Sequence, residues 1–240
     1  MAARRIVAWL AHYETFFASG DEGFRDRLAA SLAGQLRHLR RAWRWETHGA
    51  ARIAALKGLI YGSLCFGRGE MLDRWLRRLE AELERQVLPD GGHIERSPAL
   101  LLAVLRDLVD LRATLIAGQY EVPETLQRAI DRMAPMLRYL RHGDGGLARF
   151  NGGREEDAAL VSAVLEQADR RGKPAARAPA AGFERLAAGP LVVIADSGPP
   201  PPPPFDAAAH AGTLGLEVSV GRERLIVNCG ATAHGSRAWA

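Results

Sequence analysis

The chain has 240 residues, of which 48% are hydrophobic and 25% charged, with a net charge of +4. That composition belongs to a folded globular protein and excludes a disordered or low-complexity chain. Arginine supplies nearly all the positive charge and is spread along the chain, so no nucleic-acid partner is expected. There is also no run of ~18 apolar residues to span a membrane.

The first element is helical over 3–19: Ile6, Leu10, Tyr13 and Phe17 share one face. Two arginines and an apolar stretch open the chain, but His12, Tyr13 and Glu14 interrupt it, which reads as a helix and not a signal peptide. Gly20-Asp21 ends this helix, and Asp21 caps the next, over 22–45, striped by Phe24, Leu28, Leu32, Leu36 and Leu39. Trp43 and Trp45 cannot face the same way on a helix. The small-residue run GAARIAALKGLIYGSLCF predicts a closely packed helix over 49–66, with Cys65 read as a buried small hydrophobe. GEMLDRWLRRLEAELERQVL carries an apolar stripe through Leu72, Trp75, Leu79 and Leu83, which places Trp75 in the core.

LPDGGHIERSP then gathers His93, Glu95 and Arg96 on a connection between two helices. The next helix covers 98–117, with Pro98 in its first turn. Another starts at VPETLQ and ends near Arg141. A second glycine loop, HGDGGLARFNGG, holds Asp144 as a turn residue and carries Arg149 and Asn151. A last helix is expected over 154–168.

The character changes after 170. RRGKPAARAPAAG reads as a linker, GPLVVIADSG as a strand, and Pro199 to Pro204 as polyproline II, which cannot join a sheet. In GTLGLEVSVGRERLIVNCG, the alternation of Leu214, Leu216, Val218 and Val220, then of Leu225 and Val227, predicts two strands and a tight turn. Helices followed by strands imply an α domain and then a β domain. Three strands are too few to cover both of their faces, so the β part reads as incomplete.

DGGHIERSP, DGGLARFN and HAGTLGLEVSVGRERLIVNCG, in that order, resemble the heparinase II/III family of polysaccharide lyases. The resemblance implies an α+β multidomain fold: a helical (α/α) toroid portion followed by the first strands of an antiparallel β-sandwich. Residues 1–170 would be the later half of the toroid, 171–189 a linker, and 190–240 the opening of the sandwich. It implies β-elimination on an acidic, uronate-containing polysaccharide of heparin, heparan or alginate type. His93, Glu95, Arg96 and His48 would be catalytic, and Arg149, Asn151 and Tyr61 would bind substrate. His210 would be a zinc ligand, the one cofactor implied, and the location would be the periplasm or cell envelope. The chain departs from the family pattern at two places. Leu100 and Leu101 stand where the family's Tyr follows Ser-Pro, and of a His-x-His-x-Asp pattern only His210 is present. Those departures leave open a catalytically inactive carbohydrate-binding or cell-envelope protein on the same scaffold. A helical interaction domain with a proline-rich tether is the plainest alternative.

Overall fold

A computed structural model of the chain describes residues 2–45, 48–67, 69–207, 209 and 212–229. These fold into two compact units: Met1–Arg85 with Asp110–Leu126, and Gln86–Val109 with Gln127–Ala240. The boundary therefore cuts across the division into helices and strands, and the sheet shares its unit with helices.

The first unit begins with α1 (Ala2–Ala11), the single turn α2 (Tyr13–Phe16) and α3 (Glu22–Ala42). The helix expected over 3–19 breaks at His12, whose backbone leaves the helical region. Aromatic packing fixes the break, because Phe17 lies 6.0 Å from the Trp9 ring and stacks at 5.9 Å on Phe24. Asp21 caps α3 as expected, its Oδ1 accepting the Phe24 N–H at 2.6 Å. α4 (Gly49–Cys65) is the central helix, buried on nearly every side by its small and aliphatic residues. Cys65 corrects one expectation, for it is exposed at the end of that helix. α5 (Gly69–Gln86) turns Leu72, Trp75, Leu79 and Leu83 inward, and Trp75 meets Trp43 edge-on at 5.8 Å. Trp43 is thus buried and Trp45 exposed.

The second unit contains the start of α6 (Pro98–Ala117), then all but the first turn of α7 (Glu124–Tyr139), α8 (Ala158–Asp169) and a sheet. Leu105, Ile130, Met133, Leu137 and Phe150 are fully buried in it. The sheet is antiparallel in the order β1 (Phe183–Ala188), β2 (Leu191–Asp196), β3 (Leu216–Val220) and β4 (Glu223–Ile226). β1 lies inside the span read as a linker. FERLAA looks too polar for a strand, but it pairs along its length with β2, and Arg185 is satisfied by distant segments, donating to the carbonyls of Tyr139 (2.9 Å) and Arg141 (2.6 Å).

On β3 the usual apolar-inward pattern is inverted, whereas β2 buries Val192 and Ile194 and β1 buries Phe183. Leu186 on β1 is 68% exposed and Leu216 on β3 is 44% exposed, while Glu217 and Ser219 are both 0% exposed. The inward face therefore mixes Phe183, Val192 and Ile194 with the polar Asp196, Glu217 and Ser219.

Candidate functional site

The loops at 86–97 and 140–151 are built from one pattern, Asp-Gly-Gly followed four residues later by Ile94-Glu95-Arg96 or Ala148-Arg149-Phe150. In the first, Leu88 N–H donates to Gly92 O, Gly91 N–H to Leu88 O, and Ile94 N–H to Gln86 O. In the second, His142, Gly145 and Ala148 make the same three bonds to Gly146, His142 and Leu140. One carboxylate oxygen of each aspartate closes the turn, Asp90 on Gly92 N–H at 3.1 Å and Asp144 on Gly146 N–H at 2.8 Å. Gly91 and Gly145 hold φ at 88° and 87°, a region costly for any side chain.

The second oxygen of each aspartate points at the chain beyond residue 170. Asp90 accepts the Ala181 N–H at 2.8 Å, and Asp144 accepts Arg224 of β4 at 2.8 Å. Both loops then add charged contacts of their own. Arg96, backbone φ 51°, donates to the carbonyls of Ala181 (2.8 Å), Gly182 (3.0 Å) and Pro199. It also pairs with the Asp196 carboxylate of β2, and its guanidinium lies 5.2 Å from the Phe183 ring centre. Asn151 joins this clamp: its Nδ2 donates to Arg96 O and to Asp196 Oδ2, both at 3.0 Å. In the other loop, His142 bridges Ser219 Oγ (2.8 Å) and Glu217 Oε2 (3.1 Å). Glu217 also accepts Arg224 Nη1 (3.2 Å), Arg149 N–H (2.8 Å) and Asn228 N–H (3.2 Å). Burial alone would raise the Glu217 pKa, but these donors outweigh it and hold the carboxyl below its usual value. The Arg224 hydrogen bonds likewise depress Asp144.

His93 sits behind the first loop, 2% exposed. Its Nε2 is 3.1 Å from Gln86 Oε1, and its Nδ1 accepts the Glu95 N–H at 3.4 Å. Those partners suit a neutral ring, and burial lowers its pKa to about 4. The 4.0 Å approach of Glu95 Oε1 is therefore not an ion pair at neutral pH. The fold thus brings Arg96 together with Asn151, and His93 with Glu95, but gives both pairs packing partners.

Arg149 differs from the other loop residues. Its guanidinium reaches Glu155 at 3.3 Å, while its Nε is buried without a hydrogen-bond partner. Together with Asn151, Thr213 and Asn228 it lines a cleft of about 470 Å³.

Tyr61 and His48 belong to the first unit. Tyr61 Oη lies 2.9 Å from Asp110 Oδ2 and 2.6 Å from Thr114 Oγ1, and Lys57 Nζ meets the same Asp110 oxygen at 2.5 Å. His48 precedes α4 without a side-chain capping bond, its Nδ1 3.4 Å from Arg52 Nη2. His210, and with it the zinc expectation, lies outside the described residues. Among the described residues, no group of three or more His, Cys, Asp or Glu side chains is placed to hold a metal.

Sequence reading did not single out His142, Asp196, Glu217 or Arg224. The available signal was the repeated Asp-Gly-Gly pattern, combined with a charged residue inside each of two otherwise apolar strands, Asp196 in LVVIAD and Glu217 in LEVSV.

The fold is that of the solved heparinases. Heparinase III matches at a TM-score of 0.78 and 14% identity over 95% of this chain and 42% of its own. A heparan sulfate lyase from Pedobacter heparinus matches at 0.70 and 15% identity, over 99% of this chain and 42% of its own. The α/α toroid and β-sandwich of those proteins match the helices and antiparallel sheet found here. Residues 2–171 match the heparinase II/III N-terminus and residues 170–240 the heparinase II/III-like C-terminal domain, so the chain belongs to the heparinase II/III family. The family relates it to the polysaccharide lyases. A curated relative, the FtsZ-localized protein C of Caulobacter vibrioides, is 34% identical over 228 residues. The chain spans 39% of that relative's length.

Proposed function

We propose that this chain is part of a heparinase-fold protein of the cell envelope that binds an acidic, uronate-containing polysaccharide without cleaving it through the 93–96 loop. The observation that carries this reading is the engagement of Arg96. Its guanidinium is held by Asp196 and three carbonyls, which leaves it no free fork for a uronate. A general base must reach the proton it removes, and His93 is enclosed by Gln86 and its own loop. Arg149, whose side chain is 25% exposed and meets only the exposed Glu155 in an ion pair among the described residues, supplies the cation that a sugar carboxylate needs, and Asn151 and Asn228 line the same cleft. The Caulobacter relative is named for its localization with FtsZ and not for a lyase activity, which supports this reading.

A second reading is eliminative cleavage of a heparin-, heparan- or alginate-like polymer, and the family match over the whole chain favours it. The acid and base would then lie outside the 93–96 loop. A periplasmic location belongs to this second reading, whereas the first asks only for the cell envelope.

The test uses the full-length protein on heparan sulfate, heparosan, hyaluronan and alginate. It measures binding calorimetrically and follows the ultraviolet absorbance of the unsaturated uronate. Binding that Arg149→Gln weakens, with no absorbance rise, supports recognition without cleavage. An absorbance rise that persists in His93→Gln supports the second reading. A rise that His93→Gln abolishes overturns the structural role given to the loop.

A further inference from the structure

The even spread of charge along the sequence hides one local exception in the first unit. From residue 27 to residue 45 the chain carries Arg27, Arg37, Arg40, Arg41 and Arg44 and no acidic residue. Arg37 and Arg40 are exposed, and neither has an ion-pair partner among the described residues. Ala33, Leu36, Arg37 and Arg40 are spaced by three, one and three residues, so α3 presents them on one face. That face borders a groove of about 280 Å³, with Leu36, Leu59, Met71 and Trp75 among its lining residues and Phe66 at its edge. Phe66 is 43% exposed and so adds apolar surface beside the arginines.

A groove with aliphatic and aromatic lining, edged by two guanidiniums that have no ion-pair partner among the described residues, has a definite chemical complement. We propose that this groove docks an acidic peptide segment of a partner protein, which buries one or two large apolar side chains in it and presents carboxylates to Arg37 and Arg40. The volume falls just below the ~300–1,000 Å³ of sites that enclose drug-sized ligands, enough for a side-chain anchor and too little for an extended oligosaccharide. The aliphatic residues Leu36, Leu59 and Met71 also offer a sugar ring few hydrogen-bonding groups. The concave shape favours a peptide anchor over a flat membrane surface. The guanidiniums supply orientation and bidentate carboxylate recognition, and the groove supplies apolar burial.

The test is selection from a phage-displayed library of random 16-residue peptides against the full chain, followed by affinity measurement on the enriched peptides. The expected outcome is enrichment of sequences pairing Leu, Phe or Trp with Asp or Glu. Binding should weaken about ten-fold in Arg37→Gln/Arg40→Gln, from two lost surface ion pairs. It should weaken also in Phe66→Ala, and remain unchanged in Arg177→Gln, which removes an exposed arginine of the second unit. Circular dichroism of each variant separates lost binding from lost folding. No enrichment, enrichment of basic peptides, or peptide binding indifferent to the arginine pair overturns the proposal. So does tighter binding at Arg37 and Arg40 of phosphatidylglycerol vesicles or of heparin than of any selected peptide.

Discussion

The two glycine loops of the second unit share a backbone and differ in how they use charge. The first offers a cation, Arg96, to an anion on β2, Asp196. The second offers an anion, Asp144, to a cation on β4, Arg224, and adds His142 against Glu217. One turn geometry thus serves opposite polarities, because the turn uses a single carboxylate oxygen and leaves the rest of the loop free. The loops differ also in exposure. Arg96 and Asp196 are 5% and 2% exposed, whereas Arg224 and Asp144 are 13% and 32% exposed. The Arg96–Asp196 pair should therefore matter more to stability than the Asp144–Arg224 pair.

The largest expected effect follows from that difference. Arg96→Ala leaves Asp196 buried and unpaired, and should destabilise the chain by about 3–5 kcal/mol in urea unfolding. The double replacement Arg96→Met/Asp196→Leu should recover most of that loss. If the single replacement is harmless, the comparison between the clamps fails. His93 comes next. Its folded pKa of about 4 lies below its ordinary 6.5, so the unfolded chain binds the proton first. Its contribution is present above pH 6.5 and is lost as pH falls from there toward 4, by up to about 3 kcal/mol. Denaturation at stepped pH should show that slope, and His93→Gln should flatten it. Asp144→Ala should cost less, about 1–2 kcal/mol, because the group is partly solvated and its pair weaker. Its depressed pKa places its acid-dependent loss below the ordinary carboxylate range, a window distinct from that of His93. The smallest effect belongs to the outward sheet face. Leu186→Ser should change stability by less than about 0.5 kcal/mol in this chain.

Much of this fold was legible in the sequence. Helix spacing, the Asp21 cap and the break after residue 170 follow from periodicity and local hydrogen bonding, which short windows contain. Alternation likewise located β3. It could not show that Glu217 and Ser219 face inward, because their partners His142 and Arg224 are 75 and 7 residues away from Glu217. β1 was missed for the same reason: FERLAA is a strand through its pairing with β2, and Arg185 finds its acceptors on carbonyls more than forty residues back. At the candidate site, the cluster of His93, Glu95 and Arg96 was visible, but its role was not. An arginine that binds a sugar and one that holds a strand look alike until the acceptors are placed.

The separation of turn bonds from clamp bonds also sets an order of assembly. Gly91 and Gly145 close their turns on residues three positions back, while Arg96 reaches 100 residues forward to Asp196. Short loops close with far less entropy to overcome than long ones, so both turns should be complete in the folding transition state and both clamps formed after it. Asp90→Ala would then slow refolding, and Asp196→Ala would hasten unfolding while leaving the refolding rate nearly unchanged. The paired loops act as a template finished before the sheet arrives, with the charges that will choose its register already in place.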